Sequence, residues 1–234
     1  MNSKLVDVIN ISPNKNSPRN HKIDTITIHC VQGQLTAKQL GDLFSKSSYK
    51  ASSNYGIGSD NKIGLYVDEN DRSWCSSSAS NDNRSITIEV ASDPFNPFYV
   101  KDSVLDKLIE LLVDICKRNG IKKLLWKNDK NLIGQIDKQN MTIHKWFKNK
   151  ECPGEYLLSK HPEIVKRVNE QLKIKNIRVG DKVKVINAVT TSGKPFKLWY
   201  DKYDVLQVKN DEVVIGIGQV ITARIKKSNV ELCY

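Results

Sequence analysis

The chain has 234 residues, of which 39% are hydrophobic and 27% charged, and this balance is typical of a globular protein. Its five cysteines are odd in number and form no CxxC pair, which argues against a disulfide framework. The formal charge of +11 favours an anionic partner, such as nucleic acid, anionic lipid or a phosphate-rich wall polymer, without choosing among them.

No stretch reaches the roughly 20 apolar residues that a membrane span needs. The first twenty residues lack an apolar segment of signal-peptide length. We therefore expect synthesis in a cytoplasm without a signal peptide, and no insertion into a membrane.

The N-terminal part predicts a strand followed by a short helix. Alternating β-branched residues predict a strand in IDTITIHC (residues 23–30), which would place His29 at its carboxyl end. Thr36 and Gln39 have the spacing of a capping box, which predicts the start of a helix in LTAKQLGDLFSK.

Two more β-rich segments come next. Two strands joined by a turn at residues 59–61 are predicted in SSNYGIGSDNKIGLYVDEN. A further strand is predicted in NRSITIEVAS, with Glu89 in its middle.

Helical patterns dominate the rest of the first part. The clearest helix is DSVLDKLIELLVDICKRNGI, in which Ser103 can cap the start and Gly120 can end it. A closing helical segment is predicted in GEYLLSKHPEIVKRVNEQLK, with Pro162 at the first turn of its second part. Strands interleaved with helices predict an α/β domain over residues 1–172.

The pattern changes near residue 176. From Ile177 onward, short β-rich runs alternate with glycine, asparagine and aspartate turns, and no helical period remains. This predicts a small all-β barrel over residues 176–234. Residues 175–234 have a formal charge of +5, against +6 for the much longer residues 1–174.

Candidate metal ligands come from a short list, because the chain has only four histidines. A catalytic zinc ion takes three protein ligands and leaves a fourth position open. His29, His144 and Cys152 form a plausible triad, with one ligand on an early strand and two flanking a late loop. The alternative is that they are ordinary packed residues of the core.

Two further residues have candidate roles in catalysis. Glu89 lies among apolar neighbours in its strand, where a carboxylate acting as general acid or base is one interpretation and a solvent-facing side chain the other. Lys150 lies two residues before Cys152, so in an extended chain it would share a face with the thiol. It could stabilise a developing oxyanion, or it could be one more solvated lysine.

Four segments together resemble a known family. TITIH, SSNYGIGSDNKIGLYVDENDRSWC, NRSITIEV and HKWFKNKECPG follow the order and approximate spacing of the zinc-dependent type 2 N-acetylmuramoyl-L-alanine amidases. That family shares its fold, a mixed central sheet flanked by helices, with the peptidoglycan recognition proteins. The similarity covers residues 20–172 and is strongest to phage and prophage endolysins of Gram-positive, clostridium-like hosts.

The resemblance implies an activity and assigns residues to it. The expected reaction is hydrolysis, by zinc-activated water, of the amide between N-acetylmuramic acid and L-alanine of the stem peptide. His29, His144 and Cys152 match the zinc ligands. Glu89 matches the proposed base, and Lys150 matches the residue that stabilises the oxyanion.

The chain also departs from the family at two positions. Ser53 stands where some relatives have a catalytic tyrosine, which places the base role more firmly on Glu89. Cys75 follows Trp74 where many relatives have Trp-His, so the thiol could line the cleft or be half-buried. Substrate contacts are predicted on the segments expected to rim the cleft, at Asn54, Trp74 and Asn81.

The C-terminal part resembles the bacterial SH3-like modules of clostridial lysins. This resemblance rests on VGDKVKVINAVTTSGKPFKLWYDKYDVLQV and implies binding to the cell wall. Trp199, Tyr200 and Tyr203 lie among lysines, where they could stack on sugars or peptides and attract anionic wall polymers. The alternative is that Trp199 or Tyr203 forms the core of the barrel.

Three classes of function follow from these observations. The leading prediction is an endolysin that degrades Gram-positive peptidoglycan and is released from the host cytoplasm to the wall. The second is a peptidoglycan-binding protein without catalysis, against which the presence of Cys152 argues. The third is a nucleic-acid-binding protein, for which no helix has a dense basic face and no known motif is present, so we expect no nucleic-acid partner.

Overall fold

The computed structural model describes residues 1–173 and 177–233. It divides the chain into two compact units, unit 1 (Met1–Asn169) and unit 2 (Glu170–Tyr234). The domain boundary predicted between residues 172 and 176 falls largely on residues 174–176, which lie outside the described residues. Over the described ranges, no helix combines the length and the apolarity needed to cross a membrane.

Unit 1 is built on a six-stranded mixed sheet. Its strands are β1 (Val8–Ile9), β3 (Thr25–Cys30), β4 (Tyr55–Ile57), β5 (Ile63–Leu65), β7 (Ser85–Val90) and β8 (Met141–Thr142), and a separate two-stranded ribbon pairs β2 (Lys15–Asn16) with β6 (Arg72–Ser73). The strand order in the large sheet is β1-β5-β4-β7-β3-β8. Because β4, β7, β3 and β8 run parallel, their carboxyl ends meet at one edge of the sheet.

The helices of unit 1 alternate with these strands along the chain. They are α1 (Ala37–Phe44), α2 (Ala79–Arg84), α3 (Asp102–Arg118) and α4 (Gly154–Lys173), with 3₁₀ turns at Ser47–Tyr49, Lys130–Leu132 and His144–Trp146. The predicted capping box at the start of α1 is confirmed, since the Thr36 hydroxyl accepts from the Gln39 N–H and the Gln39 side chain accepts from the Thr36 N–H.

The start of α3 differs from the prediction. The N-cap position belongs to Lys101, whose side chain makes no capping hydrogen bond, and Ser103 lies inside the first turn. The Ser103 cap was therefore wrong. Asp102 at the first helical position instead places a negative charge at the positive end of the helix dipole.

Helix α4 also differs, because Pro162 lies inside one continuous helix rather than starting a second one. A proline in a helix interior costs about 3 kcal/mol. Leu157, His161, Ile164 and Val168, on both sides of the proline, are each 0% exposed and follow helical spacing. Each buried aliphatic side chain contributes about 1.5–3 kcal/mol, so the buried face outweighs the cost of the proline.

The core of unit 1 includes strands β3 and β7 and the apolar face of the long helix α3. All six residues of β3 are buried, and Ile26, Ile28, Ile86 and Ile88 of β3 and β7 are 0% exposed. Strands buried on both faces in this way are typical of a parallel arrangement covered by helices. The polar residues of β3, including His29, are therefore held in an apolar and rigid frame.

Unit 2 confirms the all-β prediction for the C-terminal part. Its five antiparallel strands are β9 (Lys182–Val185), β10 (Tyr203–Lys209), β11 (Glu212–Ile217), β12 (Val220–Lys226) and β13 (Val230–Leu232), in the order β12-β11-β10-β9-β13. Its core includes Val183, Tyr203, Val205, Ile215 and Ile225, which are at most 1% exposed.

Candidate metal centre

Two of the predicted ligands are delivered by neighbouring parallel strands. His29 lies near the carboxyl end of β3, directly opposite Glu89 of β7 in the sheet register. β8 pairs with β3 on its other side, and Ile143 continues that strand in an extended conformation up to His144. His29, Glu89 and His144 are therefore brought to the same sheet edge.

The third predicted ligand returns to this edge through a short loop. The Lys145 N–H donates to the Cys152 carbonyl oxygen over 3.2 Å, which closes the loop between His144 and Cys152. Gly154, at φ +81°, then begins α4, and a Cβ atom there would lie 2.7 Å from the Phe98 ring. Only glycine fits both this backbone conformation and this contact.

The donor atoms of His29, His144 and Cys152 all lie within 4.8 Å of one another. Cys152 Sγ is 3.3 Å from His29 Nδ1, and the two imidazole rings are 5.1 Å apart between centroids. His29 is 0% exposed, and among the described residues its Nε2 atom has no hydrogen-bond partner. Two imidazoles and one thiol form a donor set that suits zinc, so the residues present fit the ion that the sequence predicts.

Electrostatics keep both imidazoles neutral at pH 7. Burial, with a smaller effect of His144, lowers the pKa of His29 to about 3. Burial and the charge of Lys150 lower the pKa of His144. A neutral imidazole has a free lone pair, which is the form that ligates a metal ion.

Glu89 lies beside this group of ligands and not on a solvent-facing strand surface. Its side chain is 17% exposed, and Oε1 is 4.0 Å from His29 Nδ1. The Cys75 thiol donates to the same oxygen over 3.8 Å, while Oε2 has no partner among the described residues. Burial raises the pKa of Glu89 to about 8, although the bond from Cys75 opposes this shift. At pH 7 this carboxyl group therefore favours its protonated form, and it lies within reach of His29 and Cys75.

A cleft opens over these residues. It consists of two cavities, of about 280 and 580 Å³, whose linings share Ala51, Cys75, His144 and Lys150. Glu89 and Cys152 border the smaller cavity, and Trp74 borders the larger one. The structure therefore brings together the predicted ligands, both predicted catalytic residues and one predicted substrate contact.

The two predicted asparagine contacts were wrong. Asn54 is 0% exposed, its amide N–H groups donate to main-chain carbonyls including that of Val67, and its Oδ1 accepts from Thr87. Asn81 is 5% exposed and donates to the hydroxyl of Thr27. Both amides are saturated inside the fold, so neither can rim the cleft.

In unit 2, the three predicted aromatic contacts divide into two kinds. Trp199 and Tyr200 are 70% and 57% exposed, and Lys197 Nζ lies 4.2 Å from the centroid of the Trp199 ring. Tyr203 is 1% exposed, and its hydroxyl accepts from the Trp199 and Tyr200 N–H groups. Tyr203 thus belongs to the core and holds the exposed segment, so its prediction as a contact was wrong.

Sequence reasoning missed several residues of the cleft. The Ser77 hydroxyl lies 3.3 Å from His144 Nε2, and Ser77 has a left-handed backbone with φ +63°. Arg72 lines the larger cavity, and the Asn16 amide oxygen accepts hydrogen bonds from both Arg72 and Trp74. Alternation in Arg-Ser-Trp could have indicated that the first and third residues share a face. Nothing local signals the conformation of Ser77.

The sequence and the fold were compared with those of known proteins. A family model described as N-acetylmuramoyl-L-alanine amidase matches residues 19–155, which is more than half of the chain. A search of curated protein sequences finds no significant match.

Several solved structures are similar in fold. The Staphylococcus aureus hydrolase AmiA, solved with its ligand, is 12% identical with a TM-score of 0.55, covering 72% of this chain and 83% of its own. An AmpD derivative is 16% identical with a TM-score of 0.51, covering 70% and 96%. The amidase LysC from Clostridium intestinale is 18% identical with a TM-score of 0.46, covering 69% and 96%.

The family match spans the sheet edge from β3 to the start of α4, and therefore includes every residue of the candidate metal centre. The first two structural similarities extend this agreement to the fold. The chain belongs to the N-acetylmuramoyl-L-alanine amidase family, whose members hydrolyse peptidoglycan.

Proposed function

We propose that this chain is a zinc-dependent endolysin that cleaves the amide between N-acetylmuramic acid and L-alanine in Gram-positive peptidoglycan. One observation supports this above all others. The donor atoms of His29, His144 and Cys152 converge within 4.8 Å beside Glu89, at the floor of an open cleft. A group of two histidines, a cysteine and a carboxyl group that are buried or half-buried together is costly unless it has a chemical use.

In this proposal His29, His144 and Cys152 hold the zinc ion. When bound, the ion supplies Lewis-acid chemistry, which an amide needs because it is a poor electrophile with a poor leaving group. It also favours the thiolate form of Cys152, whose thiol pKa is otherwise raised by a hydrogen bond with Cys30 and by burial.

Glu89 acts as the general base and then as the general acid of the reaction. Burial alone favours the protonated form of this group, and a zinc ion held by the neighbouring ligands would lower its pKa and favour the carboxylate. As a carboxylate it accepts a proton from the attacking water, and it then returns that proton to the departing amine nitrogen. The products are a carboxylate on the muramic acid and a new amino terminus on L-alanine. The position of Glu89 on β7, opposite His29 in the register, supports this role because it holds the carboxyl group beside a proposed zinc ligand.

Lys150 and Trp74 complete the proposed site. Lys150 is exposed at the junction of the two cavities, where its ammonium group can donate to the oxyanion of the tetrahedral intermediate. Trp74 offers an indole face in the larger cavity, and its Nε1–H donates to Asn16 over 2.7 Å, which fixes the ring. This indole is the proposed platform for the substrate.

We further propose that unit 2 is an SH3-like module that binds the wall. Trp199 and Tyr200 border a cavity of about 200 Å³ together with Lys184 and Asp201. An exposed aromatic surface next to lysines suits sugars, peptides and anionic wall polymers. A separate binding unit raises the local concentration of a catalytic unit at an insoluble substrate.

The deciding experiment is chemical. Purified Gram-positive peptidoglycan is digested with the full chain, with and without a chelator, and the new chain ends are identified. We expect new L-alanine amino termini that disappear on chelation and return with zinc. New reducing sugar ends would instead indicate a glycosidase, and firm wall binding without cleavage would indicate a recognition protein.

A further inference from the structure

Each strand that brings a residue to the metal centre contains the same local pattern. The sequence reads Thr-Ile-His at residues 27–29, Thr-Ile-Glu at 87–89 and Thr-Ile-His at 142–144. Side chains two positions apart in an extended chain lie on the same face. Each threonine therefore lies two positions before a site residue in the chain, and its side chain is on the same side of the sheet.

The three threonines also lie next to one another across the sheet. In the register, Thr27 is opposite Thr87 on one side and Thr142 on the other. They are 0%, 0% and 4% exposed, respectively. We call them the threonine row. Buried hydroxyls cost free energy unless they are hydrogen-bonded, so a row of three under the site needs an explanation.

The hydroxyls of Thr27 and Thr142 form a closed ring with Asn81. The two hydroxyl oxygens are 2.8 Å apart, Asn81 Nδ2 donates to Thr27 over 3.1 Å, and Thr142 donates to Asn81 Oδ1 over 2.9 Å. With Thr27 donating to Thr142, each hydroxyl donates once and accepts once. The ring therefore ties β3 to β8 directly below the two histidines.

This ring supplements a short main-chain connection. β8 has two residues, lies at the edge of the sheet, and pairs with β3 through only two register positions, Ile26–Met141 and Thr27–Thr142. So short a strand is weakly held by its ladder alone. The lateral position of His144 relative to His29 then depends on the side chains that join the two strands.

Thr87 belongs to a separate cluster. Its hydroxyl is 2.7 Å from Ser73 Oγ and accepts from the Asn54 N–H over 3.1 Å, and its own N–H donates to Asn54 Oδ1 over 3.2 Å. Among the described residues, no hydrogen bond joins the Thr87 hydroxyl to Thr27 or Thr142. The supports of Glu89 and of the two histidines can therefore be disturbed independently.

We infer that the threonine row and its two asparagines are positioning residues with divided roles. The ring of Thr27, Thr142 and Asn81 sets the spacing of the histidines and hence the zinc affinity. The cluster of Thr87 and Asn54 sets the position of Glu89 and hence the turnover. The inference rests on the proposed function, because it takes His29 and His144 as zinc ligands. Groups that orient metal ligands typically account for about 10–100-fold in affinity or activity.

The test compares substitutions of similar shape in the full chain. Thr142→Val keeps the volume and removes the hydroxyl, whereas Thr142→Ser keeps the hydroxyl. Zinc affinity is measured at pH 7 by competition with a chromophoric chelator, so the readout does not depend on activity. We expect Thr142→Val to bind zinc about 10–100-fold more weakly and Thr142→Ser to stay near wild type.

Thr87→Val is the matched control, since it removes an equally buried hydroxyl from the row. We expect it to keep the zinc affinity of the wild type and to lower kcat with little change in KM. Asn81→Ala provides a second variant of the ring if Thr142→Val does not fold, with the same expected loss of zinc affinity.

Three results would overturn the inference. Wild-type zinc affinity in a folded Thr142→Val or Asn81→Ala variant would show that the ring only stabilises the fold. An equal loss of zinc affinity in Thr87→Val would show that the roles are not divided. A wild-type chain that binds no zinc would overturn the proposed function together with the inference. This result is recognised first, because zinc binding by the wild type is measured before any variant is compared with it.

Discussion

The histidine at the centre of α4 makes the stability of unit 1 sensitive to acid. His161 is 0% exposed, its Nδ1–H donates to the Leu157 carbonyl oxygen over 2.6 Å, and its ring centroid lies 4.6 Å from that of Trp126. Among the described residues its Nε2 atom has no partner. Burial lowers the pKa of His161 from 6.5 to about 4.

The sign and size of the effect follow from proton linkage. Below pH 6.5 the unfolded chain binds a proton at this residue while the folded chain does not, so the free energy of unfolding falls as the pH falls. With pKa values of 6.5 and about 4, the loss between pH 7 and pH 5 is about 2 kcal/mol. The loss is complete once the pH falls below about 4.

The substitution His161→Phe removes the titrating group and keeps an aromatic ring against Trp126. Urea unfolding of wild type and variant is followed by tryptophan fluorescence at pH 7 and pH 5. We expect the wild type to lose about 2 kcal/mol more than the variant between the two pH values. Trp126→Phe is the control, because it alters the packing of the imidazole but should keep the pH-dependent loss. Equal losses in wild type and His161→Phe would refute the reasoning.

The remaining predictions concern the candidate metal centre and the proposed wall-binding surface. Cys152→Ala should abolish stoichiometric zinc binding and hydrolysis, and retention of one zinc ion per chain, measured by atomic absorption, would remove Cys152 from the ligand set. Glu89→Gln preserves the shape of the side chain but cannot accept the proton, so it should bind zinc and lose most of its turnover. Unchanged release of L-alanine amino termini would contradict that role. Trp199→Ala should weaken sedimentation with purified walls without changing thermal stability, since the ring is exposed. Tyr203→Ala should instead destabilise unit 2 by about 3–5 kcal/mol, the usual cost of removing a buried aromatic ring, and a neutral effect in thermal unfolding would argue against its place in the core.

Local patterns in the sequence anticipated the elements that local contacts determine. The capping box of Thr36 and Gln39 and the turn at residues 59–61 depend on residues within a few positions of each other, and both are present. The strand that ends near His29 was predicted because β-branched residues alternate there. The candidate site residues His29, Glu89, His144, Lys150 and Cys152 could likewise be identified from short motifs in the sequence.

The errors arise where distant residues decide the outcome. Pro162 is tolerated because the packing of a whole helix face offsets a local penalty. Asn54 and Asn81 look like surface residues in their segments, but their partners Thr87 and Thr27 come from other strands. The burial of Tyr203 likewise depends on strands that precede and follow it in the chain. No window of neighbouring residues contains this information.

The hydrogen bond that closes the loop between His144 and Cys152 has a kinetic consequence for the proposed zinc ion. It joins the ends of the short segment that contains two of the three donors. If either donor released the ion, the other would keep it within a few ångströms, and rebinding would compete at a very high effective concentration. Departure of the ion then requires near-simultaneous release by both ends of the segment. Such a site should exchange its metal slowly.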